Sequence, residues 1–157
     1  MKIKLLAIGK TDDKNLNALI ETYKARLKHY VKFDLEIIPD IKNVKNLSEK
    51  QQKEKEGELL LKKLQATDQL ILLDDKGKDF TSVEFSKYLQ KKMNSGIKQL
   101  VFVIGGPFGF SETVYKKAQG KVSFSKMTFS HQMIRLFVVE QIYRGFTILK
   151  NEPYHHE

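Results

Sequence analysis

Two short runs of almost unbroken apolar residues constrain the fold of this chain more than any other feature. They are QLILLD (69–74) and QLVFVI (99–104). A strand that is apolar on both faces must be covered on both faces, which is typical of parallel sheets flanked by helices. Helical patterns lie between these runs and the other strand-like segments. The alternation predicts an α/β fold, with a mainly parallel sheet and helices on both faces.

Five strands and five helices are predicted along the chain. The strands are residues 1–8, 33–38, 69–74, 99–104 and 121–125. The helices are residues 12–29, 48–66, 81–93, 112–118 and 131–149, with a loop at 41–47 and a turn at 74–80. Thr11 or Asp12 is available to cap the first helix, and the charge-rich residues 48–58 are expected to be exposed. Since no repeat or low-complexity linker interrupts the pattern, we predict a single domain over residues 1–157.

The charge balance leaves two interpretations open. The chain has 28 Lys and Arg against 19 Asp and Glu, a net charge of +9 and an isoelectric point near 9.5. This balance indicates either a polyanionic partner such as nucleic acid or a solvated lysine-rich surface. The chain contains no cysteine, no signal-peptide pattern and no apolar run near the ~20 residues of a membrane span. We therefore expect a cytoplasmic protein that is not embedded in a membrane.

Three loops should meet at the carboxyl edge of the predicted sheet, where open parallel sheets bind ligands. They are residues 73–77, 105–109 and 125–130. The second loop, GGPFG, has three glycines in five residues, which indicates either a very tight turn or a ligand lying against backbone. GGPFG matches neither G-x-x-x-x-G-K-[ST] nor G-x-G-x-x-G, and its proline removes an amide. A nucleoside triphosphate or dinucleotide site is therefore disfavoured.

Several longer motifs together resemble a known family. They are MKIKLLAIGK at the N-terminus, D-x-x-G-K starting at Asp74, FVIGGPFGF (102–110), SFSKMTFSHQMIRLFVVEQIYR (123–144) and EPYHHE (152–157). This combination resembles the SPOUT class of RNA methyltransferases over essentially the whole chain. Within that class it is similar to the small enzymes that methylate N3 of a pseudouridine in bacterial large-subunit (23S) ribosomal RNA.

The resemblance implies a trefoil knot and a cofactor site, both within about residues 70–157. It implies that S-adenosylmethionine is held mainly by backbone groups of the three loops. The residues concerned are Leu73, Gly105, Gly106, Phe124, Ser125, Lys126, Met127, Thr128 and Phe129. It also implies a homodimer without a metal that acts on ribosomal RNA in the large subunit or the assembled 70S ribosome. The family pattern has proline where this chain has Ser130, and serine there could cap the last helix.

The catalytic candidates that follow from the resemblance and from side-chain chemistry are Arg135, Arg144, Tyr154 and His155. The N3–H of a uracil-like ring is a weak acid, so a cation or a proton acceptor near it would favour methylation. We expect the two arginines, nine residues apart on one helix, to share roughly one side. Alternatively, Arg135 pairs with a carboxylate or faces solvent, Arg144 pairs with Glu140, and the last residues form a frayed tail.

The last helix bears on the quaternary structure and on the competing functions. Residues 131–149 are apolar nearly all round, so one face can meet the sheet while another meets a second subunit. Tyr143 and Phe146 are expected in the core or at that interface. The alternatives to a methyltransferase are a non-catalytic RNA- or ribosome-binding protein of the same fold and a nucleotide-binding regulator.

Overall fold

A computed structural model of the chain describes residues 1–156. The strands are β1 (Lys2–Ile8), β2 (Lys32–Ile38), β3 (Asp68–Asp79), β4 (Gln99–Ile104) and β5 (Gly120–Ser123). The α-helices are α1 (Lys14–Leu27), α2 (Glu49–Leu61), α3 (Ser82–Asn94), α4 (Glu112–Lys117) and α5 (Met133–Leu149). A single 3-10 turn, Val44–Asn46, lies in the predicted 41–47 loop. No helix within residues 1–156 has the length and apolar character needed to span a membrane.

The five strands form one sheet in the order β2-β1-β4-β3-β5, and every pair is parallel. This confirms the predicted α/β class with a parallel sheet. Because β4, β3 and β5 are neighbours, the predicted loops 73–77, 105–109 and 125–130 lie at one edge of the sheet, although residues 73–77 belong to β3 itself. The predicted meeting of these loops is therefore confirmed.

Each face of the sheet has its own hydrophobic core. Side chains alternate along the strands, so Leu5 and Phe102 contribute to one core while Leu6 and Val103 contribute to the other. Helices α1, α3 and α5 cover the first face, and α2 and α4 cover the second. This two-sided covering is the reason that β4 is apolar at almost every position. Phe146 lies in the first core, as expected, and Tyr143 packs against that core.

Several predicted boundaries were wrong, of which three affect the description of the fold. The α1 cap is Asp13, whose side chain accepts hydrogen bonds from the N–H groups of Asn15 and Leu16. Helix α2 ends at Leu61 instead of 66, and strand β3 continues through the predicted turn as far as Asp79. The pairing of β3 with β5 resumes after an irregularity between Leu73 and Lys78. A periodic pattern does not reveal such an interruption, because the residues that resume pairing are polar.

The charged first half of α2 is not wholly exposed, contrary to expectation. Glu56 is only 4% exposed, and its neighbour Gly57 is also buried. A Cβ atom at Gly57 would lie 2.6 Å from the Ser111 hydroxyl oxygen, so the helix approaches the start of α4 very closely there. Close packing of two helices explains why this turn of α2 is buried despite its charged sequence.

Candidate active site at the carboxyl edge of the sheet

A cavity of about 400 Å³ lies beyond the carboxyl ends of β4 and β5 and beside residues 73–76 of β3. Its size falls within the usual range for small-molecule sites. Most of the residues that line it come from the three predicted loops, and the rest come from the ends of β4 and β5, from α4 and from around the start of α5. They are Leu73, Asp74, Asp75, Lys76, Ile104, Gly105, Gly106, Phe108, Gly109, Phe110, Tyr115, Val122, Phe124, Ser125, Met127, Thr128, Phe129, His131 and Ile134.

The structure brings together all but one of the residues predicted to bind a cofactor. The lining includes Leu73, both glycines, and the segment 124–129 except Lys126. Lys126 is exposed, and its Nζ lies 3.9 Å from Asp79 Oδ2, across a gap that solvent screens.

The glycines of GGPFG are explained first by packing and by the turn. A Cβ atom at Gly106 would collide with the Glu56 carboxylate behind the loop, and one at Gly105 would lie 3.1 Å from the Phe110 ring. Gly109 has φ +79°, a conformation that L side chains rarely adopt, and its N–H donates to the Gly106 carbonyl at 3.1 Å. The two glycines that end β4 also line the cavity. Of the two explanations left open by the sequence, the tight turn is confirmed, and close approach of a ligand stays a prediction.

No role was predicted from the sequence for Asp74 and Tyr115, which line the cavity and are hydrogen-bonded to each other. Asp74 Oδ2 accepts a hydrogen bond of 2.5 Å from the Tyr115 hydroxyl, and Oδ1 accepts one of 2.9 Å from the Lys76 N–H. Burial acts to raise the pKa of Asp74, but these hydrogen bonds outweigh it and the pKa is lowered. Burial and the Asp74 carboxylate raise the pKa of Tyr115. An aspartate directly after an apolar strand was the available signal for Asp74, whereas nothing marked Tyr115.

The segment between β5 and α5 is held by its own serines. Ser125 Oγ accepts a hydrogen bond from the Met127 N–H at 2.8 Å. Ser130 Oγ accepts one from the N–H of Met133, the first residue of α5, at 3.2 Å, although the N-cap position itself is Gln132, whose side chain makes no cap hydrogen bond. The same segment leaves Met127 75% exposed at the mouth of the cavity.

Arg135 does not line the cavity. It is 1% exposed, and it donates to the Thr11 hydroxyl at 2.7 Å and to the Ile8 carbonyl at 2.8 Å. Burial lowers the pKa of Arg135, partly opposed by Asp40 and Asp12. These contacts join the start of α5 to the segment that connects β1 with α1. The alternatives of a solvent-facing side chain or a simple carboxylate pair were wrong.

Arg144 lies on the opposite side of α5, so the expectation of a shared side was also wrong. Nine residues at about 100° each leave two side chains half a turn out of phase. The Arg144 side chain is 24% exposed and pairs with Glu140 at 2.6 Å, as the pairing alternative predicted. That hydrogen bond, opposed by burial, raises the pKa of Arg144.

The other catalytic candidates gather around Arg144. Its guanidinium carbon lies 4.6 Å from the centroid of the Tyr154 ring, and its Nη1 lies 3.3 Å from His155 Nδ1. The Tyr154 hydroxyl donates to Glu140 Oε1 at 3.0 Å and lies 3.1 Å from the Tyr23 hydroxyl. Burial and these contacts raise the pKa of Tyr154.

The C-terminal segment is therefore docked and not frayed, at least through His155. Tyr30 also donates a hydrogen bond to the Glu152 carboxylate, which fixes the start of this segment. We call Glu140, Arg144, Tyr154 and His155 the tail cluster. None of its members lines the cavity of the same chain. Glu157 lies outside the described residues.

Comparisons with known proteins agree with this geometry. A family model described as "Predicted SPOUT methyltransferase" matches residues 1–155. A protein of Flavobacterium johnsoniae is 77% identical over 157 residues, covering 100% of both chains. One of Flavobacterium psychrophilum is 74% identical over 157 residues, again covering 100% of both, and one of Christiangramia forsetii is 65% identical over 156 residues, covering 99% of each. All three relatives are named ribosomal RNA large subunit methyltransferase H.

Proposed function

This chain belongs to the SPOUT methyltransferase family, and on that premise we propose that its cavity binds S-adenosylmethionine for methylation of large-subunit ribosomal RNA. One observation carries the proposal. Leu73 of β3 and the loops after β4 and β5, which the family resemblance assigns to the cofactor, together line one cavity of about 400 Å³. The substrate follows from the names that the relatives carry.

The residues present fit this cofactor. Its adenine ring needs an apolar slot with main-chain partners, and Phe124, Phe129 and Ile134 supply apolar surface beside the backbone of Leu73 and Gly105. Its positive charge suits a cavity that also contains the ionised Asp74. When bound, S-adenosylmethionine supplies a methyl group made electrophilic by a sulfonium. The protein's contribution is then to hold and orient the two reactants.

The finer substrate assignment is N3 of a pseudouridine in 23S ribosomal RNA, in the large subunit or the assembled ribosome. A chain of 157 residues has little surface of its own for reading RNA sequence, so the shape of the ribosome should supply most of the specificity. The net charge of +9 supports binding to a polyanion.

The tail cluster is the proposed source of the groups that act on the RNA base. The fixed positive charge of Arg144 would favour the N3 anion, and Tyr154 and His155 can hydrogen-bond a base edge. Since these side chains do not line the cavity of their own chain, we propose that they serve the cavity of a second subunit in a homodimer. Arg135 would contribute indirectly: its hydrogen bonds to Thr11 and Ile8 would position the N-terminal segment of α5.

Mass mapping of 23S ribosomal RNA from a strain lacking the gene tests the reaction. One methyl group should be absent and should return when the wild-type chain is supplied. Unchanged methylation in the deletion strain would overturn the proposed reaction. Calorimetry with S-adenosylmethionine separates the enzyme from the alternative, because a non-catalytic ribosome-binding protein need not bind the cofactor.

A further inference from the structure

Glu56 is a buried carboxylic acid directly behind the glycine loop of the cavity. Its side chain extends to the loop from α2, one of the two helices that cover the second face of the sheet. Its carboxylate occupies the space that a Gly106 side chain would need. Gly106 itself lines the cavity. Only the backbone at the end of β4 therefore separates Glu56 from the cavity.

The carboxyl group of Glu56 is incompletely satisfied. Oε1 accepts a hydrogen bond of 2.9 Å from Gln52 Nε2, whereas Oε2 is buried and has no hydrogen-bond partner among the described residues. A Cβ atom at Gly106 would collide with this oxygen, so the backbone of the glycine loop packs directly against the carboxyl group. A buried oxygen without a partner is costly and needs an explanation.

Burial and the groups around Glu56 together set its pKa. Burial raises its pKa, and Asp40, beyond the end of β2, acts in the same direction. The Gln52 hydrogen bond and His131, which lies before α5 and lines the cavity, act in the opposite direction. A positive charge placed in the cavity would act like His131 and favour the carboxylate.

We propose that Glu56, acting through the backbone of Gly106, makes the cavity prefer the cationic S-adenosylmethionine over its product S-adenosylhomocysteine. This inference rests on the proposed function. The two molecules have nearly the same shape, but the product has a neutral thioether where the substrate has a sulfonium. A contact that depends on shape alone cannot separate them well, whereas a nearby negative charge can. Discrimination of this kind limits inhibition by the product after each turnover.

Asp74 is the competing source of negative charge. It lines the cavity directly, but its oxygens already accept hydrogen bonds from Tyr115 and Lys76, and water reaches its side of the cavity. The field of Glu56 is less screened because its carboxylate is buried. The proposal therefore assigns most of the discrimination to Glu56.

Calorimetric dissociation constants for both molecules test the assignment in the full chain. Glu56→Gln keeps the shape and removes the charge, and Glu58→Gln removes an exposed charge from the same helix as a matched control. We expect Glu56→Gln to raise the dissociation constant of S-adenosylmethionine roughly tenfold and to change that of S-adenosylhomocysteine less than about twofold. Glu58→Gln should change neither dissociation constant. Equal weakening of both ligands would mean a structural role only and would overturn the proposal. So would loss of discrimination in Asp74→Asn but not in Glu56→Gln.

The pH dependence of the ligand preference is a second test. It needs no variant at Glu56, so it can be used even if Glu56→Gln does not fold. If the carboxylate attracts the cation, the preference of the wild-type protein for S-adenosylmethionine should increase as the pH rises through the raised pKa of Glu56, because only the ionised form attracts the sulfonium. The increase should persist in His131→Gln, which removes the cavity-lining imidazole that also acts on Glu56. A preference that does not vary with pH in that background contradicts the role of Glu56. Failure of the wild-type protein to bind either ligand would instead contradict the proposed function.

Discussion

At the residue scale, Arg135 shows why a charged side chain in a motif that resembles a catalytic family need not act on the substrate. It lies in the segment SFSKMTFSHQMIR, between the cavity and α5, yet it is one of the most deeply buried side chains. Its two hydrogen bonds reach Thr11 and Ile8, more than a hundred residues earlier in the chain. Gln132 supports the same junction by accepting from the N–H groups of Asp12 and Asp13. A local pattern cannot reveal partners at that separation.

Arg135→Lys tests this positioning role. Lysine has no planar fork, so it cannot make both bonds at once, and we expect the free energy of unfolding to fall by about 2 kcal/mol. Arg144→Lys, at a half-buried pair, should cost less than about 1 kcal/mol. Urea denaturation followed by circular dichroism measures both. The contrary result is a variant that is fully stable and binds the cofactor, yet no longer methylates ribosomes. That result would contradict the positioning role and show that Arg135 acts in catalysis.

At the element scale, the C-terminal segment completes the surface formed by α1 and α5. The Tyr154 ring packs edge-on against Tyr143 with centroids 4.8 Å apart, and its hydroxyl joins Tyr23 to Glu140. Pro153 stiffens the approach to this position. The segment therefore presents Arg144 and His155 in a fixed arrangement, at a place that the cavity of the same chain does not reach.

Deletion of residues 154–157 separates binding from chemistry. The affinity for S-adenosylmethionine should stay within about twofold of wild type, since no described residue of this segment lines the cavity. Turnover on ribosomes should fall by a factor of ~100 or more, the scale expected for losing a positioned proton-transfer group. Calorimetry and a methyl-incorporation assay give the two values. Normal turnover in the shortened protein would show that the tail cluster is not needed.

At the scale of the whole molecule, the apolar surface next to the cavity is the feature that a single chain leaves without a partner. Met127, Phe129, Met133 and Phe137 are all exposed along the entry to α5, and the rings of Phe129 and Phe137 are 5.0 Å apart. Exposed apolar side chains grouped in one segment of this kind mark an interaction site more often than a solvated surface. A two-fold interface there would cover this surface and bring a second chain beside each cavity.

Phe137→Glu tests the expected homodimer. A charge in the centre of the apolar surface should convert the protein into a monomer of 18.2 kDa at micromolar concentration, because an unpaired buried carboxylate is costly. Leu19→Glu, on an exposed position of α1, is the matched control and should leave the dimer intact. Light scattering after gel filtration distinguishes the two masses. A wild-type protein that is already monomeric and fully active would contradict both the dimer and the shared site.

The sequence by itself determined the class of fold and the position of the cavity. The run 99–104 is apolar on both faces, which predicted a strand covered on both faces with a candidate ligand loop at its carboxyl end. Whether the glycines of that loop form a tight turn was left open by the sequence and was decided by the structure. These features depend on residues that are close in sequence, where periodicity is informative. The trefoil knot, by contrast, stays a prediction that comes from the family resemblance.

Only the tertiary structure decided which charged side chains are buried and what they contact. The burial of Glu56 follows from the close approach of Gly106, and the burial of Arg135 follows from the position of Thr11. The docking of Tyr154 depends on Tyr23, and the continuation of β3 depends on its pairing with β5. In each case the deciding partner lies far away in the chain. Local preferences specify the type of an element, but the packing of distant segments sets the environment of each side chain, and that environment determines its charge and its role.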